Sequence, residues 1–322
     1  MTFVTRPPTT PRDPGCWRRR VALASALCAL LVAPAMAAEE IAASKTFRVQ
    51  PGDLLRVDVS DANVVVRTGG GSSLQVEMVL SGDLDRARRA YDELGFTFVE
   101  DGEGVSIASR RPQRSSLRWG WGNYSITARV ELPSRFDLDV RTGDGNVSVQ
   151  EITGDVSITT GDGNIDLAAV EGGRIVLRTG DGNIELGVLD AAEVSISTGD
   201  GNVRLAGLVA DEATVRTGDG NIDIRGIRGA VDAMTGDGNL SLFFEDFAGA
   251  SLRTGDGDVD IAARSTLAAD ISLRGEEVAL RGDLGSFAGE RRERRVEGKL
   301  NGGGALLRAA TGDGDVVLRL DD

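Results

Sequence analysis

Along most of this chain, apolar and polar residues alternate in short runs that break at near-identical turns. Two and four residues before a turn threonine the chain is apolar, as at Val156 and Ile158, Ile175 and Leu177, and Val194 and Ile196. Five and seven residues after it the same holds, at Ile165 and Leu167, Ile184 and Leu186, Val203 and Leu205, and Ile222 and Ile224. Ser, Thr, Arg, Asp and Glu fill the places between. A period of two predicts strands with one buried and one wet face. The break is TGDGN, as in RTGDGNIEL from Arg178 to Leu186.

The turn threonines stand at 142, 160, 179, 198, 217, 235, 254 and 311. Their spacing is 18 or 19 residues, except for a last gap of 57, three times 19. A fixed short period marks a solenoid or array. Each repeat predicts strand, tight turn, strand and a looser bend such as Gly187 to Glu193. One unit buries too thin a face to fold alone, so stacking must supply the core.

Two architectures fit. A meander would use each Asp-Gly pair as a hairpin turn, whereas a β-solenoid would stack like residues on successive coils. Asn146, Asn164, Asn183, Asn202, Asn221 and Asn239, continued by Asp258, favour the solenoid, because stacked asparagines form hydrogen-bonded ladders. The fold class expected is all-β, a β-solenoid with 18–19-residue coils and a small helix-containing N-terminal cap.

That cap is read from less regular sequence. Phe47 to Met78 alternates like the repeats and holds a degenerate turn at Thr68-Gly69-Gly70-Gly71. A helix is predicted over Asp83 to Leu94, with Leu84, Ala87, Tyr91 and Leu94 on one face and Ser81 as its cap. Phe96 to Ile107, turning at Asp101-Gly102, predicts a hairpin. Tyr124 to Leu132 predicts a strand ending at Pro133. Such an insertion would cover the open strand edges at the solenoid's end. At the far end the repeat decays between Ala262 and Lys299, then resumes through Asn301-Gly302-Gly303-Gly304 to a last turn at Thr311–Asp315. Glu290 to Arg295 (ERRERR) predicts a solvated loop or strand pair, with a basic contact for an anionic partner as the alternative.

Residues 1–37 have the form of a secretory signal: Arg18, Arg19 and Arg20, an apolar Val21 to Val32, and a small-x-small site at Ala35-Met36-Ala37. The apolar run is short for a membrane span, although an uncleaved anchor is the alternative. Leu27 before Cys28 argues against lipoprotein processing. The division expected is 1–37 signal peptide, 38–135 N-terminal β segment with the cap insertion, and 136–322 repeat solenoid with degenerate coils at 262–300. Cys16 and Cys28, the only cysteines, would leave with the signal. So would five arginines and Asp13, taking the net charge from −14 to −18. So acidic a surface repels nucleic acid. The absence of histidine among 322 residues removes the commonest general base and metal ligand.

The order of signal peptide, alternating segment, charged helix, ELPSRFDLDVRTGDGNVSV, further TGDGN coils and the ending GKLNGGGALLRAATGDGDVVL resembles a bacterial exported β-strand-repeat family of unknown function, often labelled "putative adhesin". The resemblance spans about Lys45 to Leu320. It implies a right-handed β-helix-like fold at the cell envelope and supplies no catalytic residues.

Several ligand chemistries compete for the turns. Asp162-x-Asn164-x-Asp166 partly matches a calcium loop, but the distal glutamate is missing and the third acid becomes Arg204 or Ser241 in other coils. Neighbouring aspartates of a column would repel by roughly 0.9 kcal/mol in water, which hydrogen bonds from turn amides to the aspartates would offset, so a cation is not required. A phosphate cradle wants a helix after its glycines, and here strands follow. Ice binding would want paired threonine columns on a flat face. Glycoside hydrolysis needs two carboxyls in distinct environments, whereas each coil repeats nearly the same acids and none adds a distinctive insertion with a cation facing them.

The stretch Arg118-Trp119-Gly120-Trp121-Gly122-Asn123-Tyr124 is the best single binding candidate, an end cap being the alternative; Phe243, Phe244 and Phe247 are expected to fill a widened bend. No catalytic, cofactor or metal residue is assigned and no cofactor is expected. The expected protein is a non-enzymatic structural or interaction module of the periplasm or cell surface. It would be a monomer without a membrane span after signal cleavage, partnered by an envelope protein or glycan. The alternatives are a calcium- or glycan-binding adhesin and a carbohydrate-active enzyme.

Overall fold

The computed structural model describes residues 39–69, 71–110 and 123–321. The alternating N-terminal segment forms β1 (Glu39–Arg48), β2 (Leu54–Asp58), β3 (Asn63–Gly69) and β4 (Ser73–Gly82). The helix α1 (Leu84–Leu94) follows, burying Ala87, Ala90 and Leu94. Next come β5 (Thr97–Glu100) and β6 (Gly104–Ala108), which form the hairpin expected around Asp101, and then β7 (Tyr124–Pro133). Ser81 does not cap α1. It lies within β4 and shares a 2.8 Å hydrogen bond with Ser125. Asp83 is the cap, accepting the Arg86 N–H at 3.1 Å. The cap residue must immediately precede the helix for its oxygen to reach the free amides, and Ser81 is too far back.

The regular coils are built from β8 (Asp137–Arg141), β9 (Val147–Thr153) and β10 (Val156–Thr159), then from five long strands. These are β11 (Ile165–Arg178), β12 (Ile184–Ser197), β13 (Val203–Arg216), β14 (Ile222–Met234) and β15 (Leu240–Arg253). All pair in parallel. Ile165 faces Ile184, which faces Val203, which faces Ile222. Parallel pairing at one turn of the repeat excludes a meander, whose neighbours would be antiparallel. Stacked Ile, Val and Leu at 165, 167, 170, 175, 177 and their equivalents form a continuous buried core.

The expected looser bend is absent as a break in the long strands. Ala169, Val170, Glu171 and Gly172 pair with Val188, Leu189, Asp190 and Ala191, so each coil from β11 to β15 is one bent strand between tight turns, whereas β9 and β10 are separated by a break at Gly154-Asp155. In β11 to β13 the paired bend residues bond the next coil, while the bends of β14 and β15 also use left-handed glycines, Gly226, Gly229 and Gly249, where the register shifts.

Both ends depart from simple stacking. After β15 come β16 (Val259–Arg264), β17 (Ala269–Arg274), β18 (Val278–Gly282), β19 (Phe287–Arg292), β20 (Arg295–Leu300), β21 (Ala305–Ala310) and β22 (Val316–Asp321). The final coil, β21 and β22, is not last in space. β21 lies between β15 and β17, and β22 between β16 and β18. The 57-residue gap is therefore not three coils in sequence but an excursion that returns to the very next layer. The β19–β20 hairpin containing Glu290 to Arg295 pairs outside β17 and is largely exposed. The N-terminus does the same in reverse: β2 lies between β6 and β8, and β3 between β7 and β9. Beyond it, β4 and β1 continue the β7 edge as antiparallel strands, with α1 packed against them.

Candidate functional site

The repeated turn is the first candidate for a ligand site. Its threonines are buried, at 3–8% exposure from Thr142 to Thr254. Each hydroxyl points down the stack. Thr179 donates to Gly161 O and Gly163 O of the preceding coil, at 3.2 and 2.8 Å, and accepts the Gly182 N–H of its own coil at 3.2 Å. The pattern recurs at Thr198, Thr217, Thr235 and Thr254, and Thr311 continues it onto Gly255 and Gly257. A buried threonine column has no face for ice.

The turn glycines are required for close approach. Their φ angles are not positive, unlike those of Gly52 or Gly95. A Cβ on Gly182 would lie 2.0 Å from Gly163 O, and one on Gly180 would lie 2.5 Å from Gly161 O. The asparagines form the expected ladder: each Oδ1 accepts the backbone N–H of the next, as Asn164 does from Asn183 at 2.8 Å. The ladder starts one coil earlier than the repeat suggested, at Asn63, and runs through Asp258 and Asp315 to the Glu277 amide.

The aspartates behave differently from expectation. It is the threonine that satisfies the turn amide. Only the first of the column does comparable work: Asp61, half-buried, is hydrogen-bonded by Ser60 and by the Asp144 backbone. Burial, then repulsion from Asp144, raises its carboxyl above the ordinary value. In the Asp162-Asn164-Asp166 triplet, the Asn164 oxygen is already committed to the ladder. Among the described residues no three acidic side chains converge as a metal cluster.

The Trp119–Trp121 stretch lies within residues 111–122, outside the described residues, in the connection between β6 and β7. The aromatic group at 243–247 divides. Phe244 is buried and meets Phe247 edge-on at 5.2 Å, filling the bend as expected. Phe243 does not. It stands 38% exposed on the outer face, one residue past the row Leu186, Leu205, Ile224, Leu242, where other coils carry Gly187 or Ala206.

Phe243 lines a hollow of about 210 Å³ with Asp223, Arg225, Asp260, Ala262 and Arg319. Register explains the assembly. Ser241 separates Asp223 from Asp260 along one row, and Phe243, Ala262 and Arg319 follow along the next. Asp223 pairs with Arg225 at 3.3 Å. One surface patch thus gathers two carboxylates and two guanidiniums, which the repetition of acids gave no reason to expect. Arg319 arrives from the intercalated β22, which the spacing of the turns did not reveal. Asp223 and Asp260 are two strands apart, roughly 9.6 Å, and Asp260 is exposed. A general acid needs a desolvated carboxyl, and this open hollow supplies binding groups rather than that environment.

Residues 53–319 match the family model described as Toastrack DUF4097. Among solved structures, similarity extends to a protein from Parabacteroides distasonis described as "putative adhesin", at 10% identity and TM-score 0.44, covering 85% of this chain and 96% of that one. A protein from the same organism described as "Putative lipid binding protein" shows 12% identity and TM-score 0.47, over 87% and 96% of the two chains. A "putative adhesin" from Bacteroides fragilis shows 14% identity and TM-score 0.41, over 69% and 96%. No curated protein matches the chain.

Proposed function

We propose that this chain, which belongs to the Toastrack DUF4097 family, is a non-enzymatic structural and interaction module exported to a bacterial cell envelope. The observation that carries the reading is the fate of the repeated turn. Its threonine hydroxyls, first-glycine amides and asparagine backbone amides are committed to the adjacent coil, and its second-glycine amides to the threonine of their own coil. What remains is a stiff scaffold whose outer rows vary from coil to coil. In this reading residues 1–37 are a signal removed on export, 38–135 form the N-terminal β segment with its cap, and 136–322 form the repeat solenoid. The coils wind right-handed, because parallel crossovers are right-handed in about 98% of cases, and the chain is a monomer. No helix among the described residues is long and apolar enough to cross a membrane.

Fractionation of cells carrying a C-terminally tagged chain tests export. The expected product begins at Ala38 and lies in the periplasm or on the surface. Full-length cytosolic protein would overturn the reading.

A second reading, a glycan-binding module, is favoured by the hollow at Phe243. An exposed ring can stack on the apolar face of a sugar while flanking charges meet its hydroxyls. Glycan-array binding lost in Phe243→Ala supports it, and an array signal unchanged in that variant removes it.

A further inference from the structure

On the opposite outer row, preceding the turns, lies a cluster that the sequence scatters over more than fifty residues. Register brings it together. Along one row run Met234, Arg253, Ala310, Arg274 and Arg295; along the adjacent row run Asp232, Ser251, Arg308, Ser272 and Glu297. Arg253 and Arg274 therefore flank Ala310, two strands apart at roughly 9.6 Å, while Arg308 stands two residues back on the central strand. The three arginines are exposed, and with Ser272 they rim a hollow of about 270 Å³ floored by Ala309 and Ala310.

The charges in this hollow are unbalanced. Among the described residues, Arg253 and Arg308 have no carboxylate partner, although the chain carries 50 acids against 36 bases. Of the two acids flanking the row, Asp232 pairs outside the hollow, and Glu297 is shared between Arg295 and the hollow's own Arg274. Asp232 pairs with Arg216 at 3.5 Å. Glu297 pairs with Arg295 at 2.5 Å and Arg274 at 3.6 Å and accepts the Ser272 hydroxyl at 3.3 Å. The hydrogen bond from Arg295 is the first cause holding the Glu297 carboxyl below its usual range. Alanine at 310 matters as much as the arginines. A longer side chain there would fill the hollow that the three arginines line.

We propose that Arg253, Arg308 and Arg274 form a binding site for a compact phosphate oxyanion, free or carried as a lipid headgroup. Planar guanidiniums bind phosphate through paired hydrogen bonds that an ammonium does not reproduce. The site depends on the intercalated β21, which inserts Arg308 and Ala310 between Arg253 and Arg274. It is independent of the Phe243 hollow and of export.

The test uses the full chain in low-salt, phosphate-free buffer. Inorganic phosphate is titrated by calorimetry, and phosphatidylcholine vesicles with and without phosphatidic acid are co-sedimented. Saturable phosphate binding is expected, weakened by salt and reduced about tenfold or more by Arg308→Gln or Arg253→Gln. Arg178→Gln, in the same outer row several coils away, leaves it unchanged, and Arg308→Lys weakens it. Co-sedimentation only with phosphatidic acid, competed by phosphate, identifies a headgroup; phosphate binding without co-sedimentation identifies a soluble ligand. Absence of saturable binding by both probes overturns the site. So does undiminished binding in an R253Q/R308Q double variant with an unaltered circular dichroism spectrum.

Discussion

Thr198→Val isolates the hydroxyl lattice from everything else in the turn. Valine keeps the shape of threonine and replaces the oxygen with a methyl group. Three bonds go: to Gly180 O at 3.3 Å, to Gly182 O at 2.9 Å, and from Gly201 N at 3.3 Å. Gly180 O keeps its bond from Gly199 N. Gly182 O and Gly201 N are orphaned beneath the next coil. Two buried unsatisfied groups cost about 1–3 kcal/mol each, and the extra buried methyl returns about 0.8 kcal/mol. The net is a loss of roughly 3 kcal/mol. Thr198→Ser is the control, because it retains all three bonds and deletes one methyl, for about 1 kcal/mol. Denaturant unfolding followed by circular dichroism compares the two, and hydrogen exchange at the Gly201 amide reads the orphaned donor directly. A valine variant as stable as the serine variant, with Gly201 exchange unchanged, refutes the claim that the hydroxyl column holds the coils together.

Gly201→Ala places a Cβ 1.9 Å from Gly182 O and 2.8 Å from Thr198 Oγ1, a backbone carbonyl and a short side chain that cannot swing away. The expected result is a drop in melting temperature larger than for Gly52→Ala, where a Cβ meets nothing even though φ is +95°. Asp61→Asn tests the raised carboxyl. A folded-state pKa above the ordinary 3.8 means the charged form is disfavoured in the fold. That penalty is absent below the unfolded pKa and complete above the raised folded one. The Asp61→Asn variant is therefore expected to melt higher than the parent at pH 7, with the gain vanishing as the pH falls into the carboxylate range; a gain that grows towards acid pH would contradict this. Removing residues 301–322 deletes the penultimate layer, so melting should fall by more than a terminal-coil deletion would produce, with loss of exchange protection in β17 and β18.

The repeat itself is legible because stacking demands identity. A coil-on-coil contact closer than a Cβ permits explains the glycines, and a ladder one strand spacing apart explains the asparagines, so both recur at every layer. The aspartate misleads for the opposite reason. It recurs just as strictly, but recurrence does not say which polar atom faces the stack, and threonine holds that place. Ser81 suits a cap by residue type alone, while Asp83 wins by position. Phe243 is within reach of the alternation rule: Leu240, Leu242 and Phe244 face in while Ser241 and Phe243 face out, and only reading the three phenylalanines as one cluster hides it. The order of layers is out of reach altogether. Turn spacing measures distance along the chain, and 57 residues equal three coils whether they stack or wander.

The intercalated layers connect these observations. A solenoid that ends on its last coil leaves that coil held on one side only, and repeat arrays fray from such ends. Here the first coil of the chain, β2–β3, and the last, β21–β22, each have a parallel neighbour on both sides. The layers outside them are continuous with β4 and α1 at one end and with β17 to β20 at the other. Peeling either end thus requires breaking an inner layer as well, so the described residues, which include no cysteine, resist unravelling by this interlocking alone. The same arrangement also produces difference. In a stack of successive repeats each row would carry neighbours a fixed 18 or 19 residues apart, and the selection of one coil would echo in the next. Inserting β21–β22 sets Arg308 and Ala310 between Arg253 and Arg274, and sets Arg319 beside the Phe243 row. The hollow at Phe243 and the hollow at Arg253 both draw residues from that one insertion, so a single deletion that restores simple stacking should disrupt both while leaving the turn lattice from Thr142 to Thr254 intact.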